Sequence, residues 1–180
     1  MINILVLLGS LRAASVNRQL AELVVDLAPY GAQLIMFDRL GELPFYNEDI
    51  DNETVPEPVS ALRQAAARAD ATLVVTPEYN GSIPGVIKNA IDWLSRPYGS
   101  GALKGKPLAV VGISRGAYGG VWAHDEARKS FAIAGASVID TVQLSVPLKS
   151  LDGKPPREHG YLVAGARDAV GVLIDAIGCE

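Results

Sequence analysis

Side chains that carry metal or redox chemistry are scarce in this sequence. It has one cysteine, Cys179, and two histidines, His124 and His159, which are far apart and in no metal-binding spacing. One cysteine cannot form a disulfide framework or a cysteine-based metal site within the chain. The favoured interpretation of both histidines is that they are ordinary surface residues. The sequence therefore predicts no metal site, and its cysteine usage suits a reducing cytoplasm.

Basic charge and long apolar runs are also missing. The formal net charge is −4 over 180 residues, which gives no basic surface for a nucleic-acid partner. The apolar start, MINILVLLGS, is too short to span a membrane and lacks the leading positive charge of a signal peptide. We therefore expect a cytoplasmic protein without membrane contact. Apolar residues make up 49% of the chain, so we expect one folded domain over residues 1–180.

What the sequence does contain is a regular alternation of apolar strands and amphipathic helices. Strands are predicted at 2–8, 33–37, 71–75, 107–113 and 137–146, and helices at 17–28, 56–69, 84–96, 121–134 and 162–177. Continuous apolar strands are typical of sheets buried on both faces, so the pattern predicts an α/β fold with a five-stranded parallel sheet. We expect the strand order 2-1-3-4-5, in which strands one, three and four are neighbours.

Three loops that follow these neighbouring strands carry polar residues and glycine. They are residues 9–17, 77–82 and 114–120. The carboxyl ends of parallel strands lie along one edge of the sheet, and strands one and three flank its switch point. One ligand could therefore contact all three loops.

The first loop, GSLRAASVN, has the composition of a phosphate site. It leads into a helix N-terminus, where free N–H groups and the helix dipole favour an anion. Arg12 can bind a phosphate through two hydrogen bonds, and Ser10, Ser15 and Asn17 add donors. The alternative is that Ser15 or Asn17 only caps the helix, which explains one member of the set. No Gly-Lys-Ser/Thr follows, and Leu11 replaces the second glycine of a dinucleotide fingerprint, so the loop predicts a mononucleotide.

The second loop, PEYNGS, is suited to hold the ring system of such a nucleotide. Tyr79 offers an aromatic surface, Asn80 offers a donor and an acceptor, and Gly81 lets the backbone come close. Glu78 could act as a general acid or base. The favoured interpretation is instead a carboxylate that anchors the loop, by accepting backbone N–H groups or by pairing across a subunit contact.

Two other regions leave alternatives open. The third loop contains Gly116, Gly119 and Gly120, which either allow close approach to the other side of the ring or are plain turn glycines. The connector 38–55 is long enough to predict a functional or partner surface. Its aromatic pair, Phe45 and Tyr46, could cover the site, although packing is favoured. We expect this connector, together with an exposed helix end at Trp93, to be a candidate subunit interface.

These stretches resemble the NADPH-dependent FMN reductase family. The resemblance rests on GSLRAASVNRQLA, PEYNGSIPGVIKNAIDWLSRP, Ser114-Arg115-Gly116 and residues 43–49, and it runs over almost the whole chain. It implies a flavodoxin-like three-layer sandwich and the activity of a quinone, flavin, azo-dye or chromate reductase. It also implies non-covalently bound FMN, NADPH or NADH as reductant, a small-molecule acceptor, and a homodimer or homotetramer with the flavin near a subunit interface.

The resemblance also implies which residues bind FMN. They are Ser10, Arg12, Ser15, Val16 and Asn17 in the first loop, Pro77, Glu78, Tyr79, Asn80 and Gly81 in the second, and Ser114 and Gly116 in the third. No catalytic side chain is implied, because the flavin accepts hydride at N5 and passes the electrons on after the nicotinamide has left. Backbone N–H groups of the second loop would stabilise the negative charge of the reduced ring. Two alternatives remain open: a flavodoxin-type electron carrier without NAD(P)H oxidation of its own, and a non-redox phosphate-binding domain.

Overall fold

The structure is a computed structural model that describes residues 1–178 as a parallel sheet with helices on both faces. Its strands are β1 (Ile2–Leu8), β2 (Ala32–Phe37), β3 (Ala71–Val75), β4 (Pro107–Ser114), β5 (Ser137–Val138) and β6 (Leu144–Pro147). Its helices are α1 (Val16–Asp26), α2 (Glu57–Arg68), α3 (Gly85–Leu94), α4 (Val121–Ile133) and α5 (Gly160–Ile177). The order β2-β1-β3-β4-β5, with every pairing parallel, confirms the predicted topology. Cys179 lies outside the described residues.

The sheet separates two apolar cores. Residues of β1 alternate between them: Ile4 and Val6 face the core shared with α1 and α5, whereas Leu5 and Leu7 face the core shared with α2, α3 and α4. This two-residue alternation, with both faces covered, explains why the strands appear in the sequence as unbroken apolar runs. Within residues 1–178 no helix combines the length and apolar character needed to cross a membrane.

The last predicted strand, 137–146, is wrong as a continuous element. The structure divides it into β5 and β6, which pair with different parts of β4. Arg128 of α4 fills the interval: its Nη2 donates to the carbonyls of Val110 at 3.2 Å and Val142 at 3.0 Å, while Nη1 pairs with Asp125 at 2.9 Å. Arg128 is almost fully buried. Its guanidinium therefore supplies donors to two carbonyls that lack a ladder partner between the two strands.

The prediction that the helix end at Trp93 is exposed is wrong, so this side chain is not available to a subunit interface. Trp93 is fully buried, its Nε1 donates to the Pro44 carbonyl at 2.8 Å, and its ring meets that of Tyr46 edge-on at 4.9 Å. Asn89 of α3 holds the same connector by accepting from Tyr46 N at 2.9 Å and donating to Pro44 at 2.9 Å. Packing is thus confirmed for Tyr46, whereas Phe45 stays 86% exposed.

Candidate functional site

The three polar loops meet at the carboxyl edge of β1, β3 and β4. Asn17 joins the first loop to β4, because its Oδ1 accepts from Ile113 N at 2.9 Å and its Nδ2 donates to Ile113 O at 2.8 Å. The Ser114 hydroxyl joins the third loop to the second by accepting from Glu78 N at 2.6 Å. Gly9 N donates to the last residue of β3 at 2.8 Å. A direct hydrogen bond therefore connects the second loop to the third, and the first loop is bonded to the strand ends from which the other two loops begin.

The first loop ends in a capped helix. Ser15 has an extended backbone, and its Oγ accepts from Asn17 N at 3.2 Å, which confirms the capping interpretation for Ser15. Asn17 itself is buried and uses its amide on β4 rather than as a cap. Ser10 is buried at the mouth of the loop. Arg12 is exposed, and its carbonyl accepts from Ser15 N at 3.1 Å. Its guanidinium makes no hydrogen bond or ion pair with the part of the chain that the structure describes.

The second loop is a closed two-residue hairpin. Tyr79 N donates to Ser82 O at 3.0 Å and Ser82 N donates to Tyr79 O at 3.1 Å. Asn80 and Gly81 have φ values of 53° and 74°, the positive pair that an Asn-Gly turn of type I′ adopts. Because Glu78, Tyr79 and Ser82 have their N–H groups occupied, the loop's N–H groups that have no partner within residues 1–178 are those of Asn80 and Gly81.

Glu78 anchors this loop to the first turn of α4. Its Oε2 accepts from Ala123 N at 3.2 Å, and the helix has only Gly120 at its own N-cap position, with no side-chain cap. A carboxylate beside a helix N-terminus is favourable both as a hydrogen-bond acceptor and as a charge. The interpretation of Glu78 as an anchor that accepts a backbone N–H is therefore confirmed.

The glycines of the third loop have different roles. Gly119 and Gly120 have φ values of 67° and 96°. A Cβ on Gly119 would approach the Val146 backbone at 2.5 Å, and one on Gly120 would lie 2.9 Å from the Ser114 hydroxyl oxygen. Their positive φ values support the turn interpretation for these two glycines, and close packing is a second reason why neither position accepts a side chain. Gly116 is exposed, and a Cβ there would meet only a Glu78 oxygen at 3.7 Å, so Gly116 is the one that leaves space for a ligand.

His124 is buried beneath these loops, so its prediction as a surface residue is wrong. Its Nε2 lies 3.0 Å from the Thr76 carbonyl and its Nδ1 lies 2.6 Å from the Ser145 hydroxyl. A carbonyl only accepts, so we assign the proton to Nε2, and Nδ1 then accepts from Ser145. Burial lowers the pKa of His124, partly opposed by its hydrogen bond to Thr76. The imidazole is therefore neutral at neutral pH.

Sequence reasoning missed His124 because the buried face of its helix contains two basic side chains. The buried positions of α4 are Ala123, His124, Ala127, Arg128 and Phe131, which recur at helical spacing. A search for apolar periodicity rejects this stripe, since two of its members are a histidine and an arginine. The spacing of 124, 127, 128 and 131 is the signal that could have found it.

A parallel sheet of this order, with one polar loop on each side of its switch point, defines a flavodoxin-like nucleotide-binding architecture. The chain belongs to the NADPH-dependent FMN reductase family, whose sequence profile matches residues 2–150. This match confirms the family that the sequence predicted. It also confirms the predicted oxidoreductase class and the predicted use of FMN and NAD(P)H.

Individual relatives agree with this assignment. A quinone reductase from Pseudomonas putida is 49% identical over 128 residues, which are 71% of this chain and 68% of the relative. A 2-hydroxy-1,4-benzoquinone reductase from a Burkholderia species is 48% identical over 118 residues, 66% of this chain and 63% of that protein. The solved structure of FerB, a flavoenzyme NAD(P)H:(acceptor) oxidoreductase from Paracoccus denitrificans, superposes with a TM-score of 0.85 at 32% identity, covering 98% of this chain and 97% of its own.

Proposed function

We propose that this protein transfers electrons from NAD(P)H, through a bound FMN, to quinones or to related small acceptors such as flavins, azo compounds or chromate. The FMN phosphate binds loop 9–17 and the isoalloxazine ring binds loop 77–82. The observation that carries the proposal is the arrangement of three loops tied by hydrogen bonds to one another or to the strand ends at the switch point, with the Arg12 guanidinium lacking a partner among residues 1–178. The names of the relatives support quinones as the acceptor class.

The phosphate half has the donors that a monophosphate requires. Arg12 supplies an exposed guanidinium, and the first turn of α1 contains no acidic residue that would repel an anion. The first N–H groups of a helix have no intrahelical partner. Asn17 N is bonded to the Ser15 side chain and Gln19 N to the Ser15 carbonyl, so the N–H groups that can donate to an anion are those of Val16 and Arg18. Ser10 and Ser15 contribute hydroxyls, and Asn17 keeps one Nδ2 hydrogen beyond its bond to β4.

The ring half offers surface, space and two backbone donors. Tyr79 is half exposed, Pro77 begins the loop, and Gly116 leaves room beside Glu78. The N–H groups of Asn80 and Gly81 can donate to ring heteroatoms, and Ser114 can still donate its hydroxyl hydrogen. When bound, FMN accepts hydride from NAD(P)H and passes electrons to the acceptor. The two N–H groups stabilise the negative charge that hydride transfer brings to the ring.

The proposal is tested by comparing FMN with riboflavin, which lacks the phosphate. Arg12→Ala should weaken FMN binding to the flavin-free protein about 10- to 100-fold, because a hydrogen bond to a charged group contributes about 1.5–3 kcal/mol. Riboflavin affinity should not change. Arg167→Ala, which removes an exposed arginine on α5, is the matched control. Unchanged FMN affinity in Arg12→Ala would show that the phosphate lies elsewhere.

Turnover separates this enzyme from a flavodoxin-type electron carrier. The FMN-loaded protein should oxidise NADPH or NADH continuously when a benzoquinone is present, whereas a carrier needs a separate reductase. A panel of quinone, flavin, azo-dye and chromate acceptors then ranks the substrates. Absence of NAD(P)H oxidation with every acceptor would favour the carrier.

We also propose that the protein forms a homodimer or homotetramer and acts in the cytoplasm, where its nicotinamide reductants are found. Large apolar side chains support the oligomer: Phe45 is 86% exposed in the connector, and Ile133 is 74% exposed at the end of α4. Ile133 lines a cleft of about 450 Å³ between α3 and α4. Light scattering tests the proposal, since a mass of 19.0 kDa in solution would contradict it.

A further inference from the structure

The pairing of β3 with β4 stops in an unusual way at Thr76. Its N–H donates to Val111 O at 3.0 Å, as a parallel ladder requires. In a regular ladder the Thr76 carbonyl would next accept from Ile113 N. Instead, Ile113 N donates to Asn17 at 2.9 Å, and the Thr76 carbonyl lies 3.0 Å from His124 Nε2. Two side chains thus replace one ladder hydrogen bond.

Gly112 makes this departure sterically possible. It is the residue opposite Thr76, one place beyond the last paired position of β3 and β4. A Cβ on Gly112 would clash with the Thr76 carbonyl and would lie 2.7 Å from His124 Nε2. The carbonyl therefore turns over Gly112 towards α4, and the space for it depends on a residue without a side chain.

Loop 77–82 begins directly after the Thr76 carbonyl that turns towards α4. Pro77 follows Thr76 directly, and the loop is next fixed through Glu78, whose carboxylate accepts from Ala123 N. Ala123 and His124 are consecutive residues in the first turns of α4. The helix therefore holds the start of the loop at two adjacent points, one through its backbone and one through the imidazole.

We propose that His124 is a positioning residue for loop 77–82. By donating to the Thr76 carbonyl it holds the end of β3 out of the ladder, and so sets where the hairpin meets the flavin ring. The Ser145 hydroxyl of β6 fixes the orientation of the imidazole at its other nitrogen. The inference about the ring rests on the proposed function, whereas the inference about loop geometry does not.

Two substitutions separate hydrogen bonding from packing at this position. His124→Gln keeps a side-chain N–H that can donate to Thr76 and an oxygen that can accept from Ser145. His124→Leu keeps a similar volume without either function. Phe131→Leu, a buried change further along α4, controls for a general loss of stability. Arg12→Ala provides the opposite pattern, because it affects only the phosphate.

The experiment measures binding of FMN and of riboflavin to flavin-free protein. His124→Leu should weaken the binding of both flavins by the same factor of about tenfold, which corresponds to about 1.4 kcal/mol. His124→Gln should stay within about threefold of the unchanged protein, and Phe131→Leu should bind normally. Normal binding by His124→Leu, or a loss confined to FMN, would overturn the inference.

Hydrogen exchange gives a readout that needs no flavin. In His124→Leu the amides of Glu78, Tyr79 and Ser82 should exchange faster, because the loop loses its anchor at Thr76. In His124→Gln they should be as protected as in the unchanged protein. Equal protection in all three proteins would overturn the positioning role. Failure of the unchanged protein to bind FMN would instead overturn the proposed function.

Discussion

Replacing Asn17 with alanine should destabilise the protein through two hydrogen bonds at once. The Asn17 side chain is buried and binds both backbone groups of Ile113, at 2.9 and 2.8 Å. Alanine leaves an N–H and a carbonyl of β4 without partners at the point where the strand leaves the ladder. Neither group has a second partner among residues 1–178, so the loss falls directly on the free energy of unfolding.

The size of the effect follows from the cost of unsatisfied buried groups. Each costs about 1–3 kcal/mol, and a water that enters the vacated space at the sheet edge can recover part of it. We therefore expect Asn17→Ala to lower the free energy of unfolding by about 2–4 kcal/mol. At about 2–4 °C per kcal/mol for a chain of this size, the melting temperature should fall by about 4–16 °C.

The measurement is thermal and urea unfolding of the flavin-free protein, with Asn89→Ala as the matched control. Asn89 is a second buried asparagine that binds backbone, at Tyr46 N and Pro44 O. Both variants should lose similar stability, but Asn17→Ala alone should weaken FMN binding, by several-fold. A loss under about 1 kcal/mol in Asn17→Ala would refute the reasoning about Ile113. Equal FMN affinities in the two variants would refute the assignment of Asn17 to the phosphate site.

Three further changes test the neighbouring loops. Burial lowers the pKa of His124 in the folded protein, so below about pH 6.5 the unfolded chain binds a proton that the folded chain does not, and stability should fall as the pH drops. Urea melts of His124→Gln should show a weaker decline in stability between about pH 7 and 5. An equal decline in both proteins would contradict this. Gly81→Val should cost about 1–2 kcal/mol in thermal melts because its φ is 74°, whereas Gly81→Asn should be tolerated. Glu78→Ala should cost about 1 kcal/mol by removing the cap at Ala123, with Glu78→Gln retaining most of the stability.

The central strands could be predicted from the sequence because their burial is complete. Residues 71–75 are apolar apart from one threonine and are buried on both faces, so the predicted and observed bounds of β3 agree. The last strand could not be predicted in the same way. Four of the five residues at 138–142 are β-branched, and only the tertiary contact of Arg128 with Val142 shows where the chain leaves the sheet. A side chain from another helix decides that boundary, and the β-propensity of residues 138–142 does not indicate it.

The candidate site could also be predicted only in part, and the contacts that were missed are those between residues far apart in sequence. Loop positions followed from the strand order, and the capping alternative for Ser15 rested on local chemistry. Glu78 could be predicted as an anchor, but its partner Ala123 could not. The contacts of Trp93 and His124 could not be predicted either, because each depends on a carbonyl far away in sequence, at Pro44 and Thr76 respectively. Burial of a polar ring is unfavourable without such a partner, and one sequence does not reveal the partner.

The hairpin at Asn80 and Gly81 has a consequence for the thermodynamics of ligand binding. Its two cross-strand hydrogen bonds join Tyr79 and Ser82 within the protein itself, so four residues adopt their final backbone angles during folding. Fixing the backbone of one residue costs about 1–2 kcal/mol of conformational entropy, a loss that a mobile loop would suffer on each encounter. Here that cost is met when the chain folds, so a ligand that contacts this loop would not have to order it on binding.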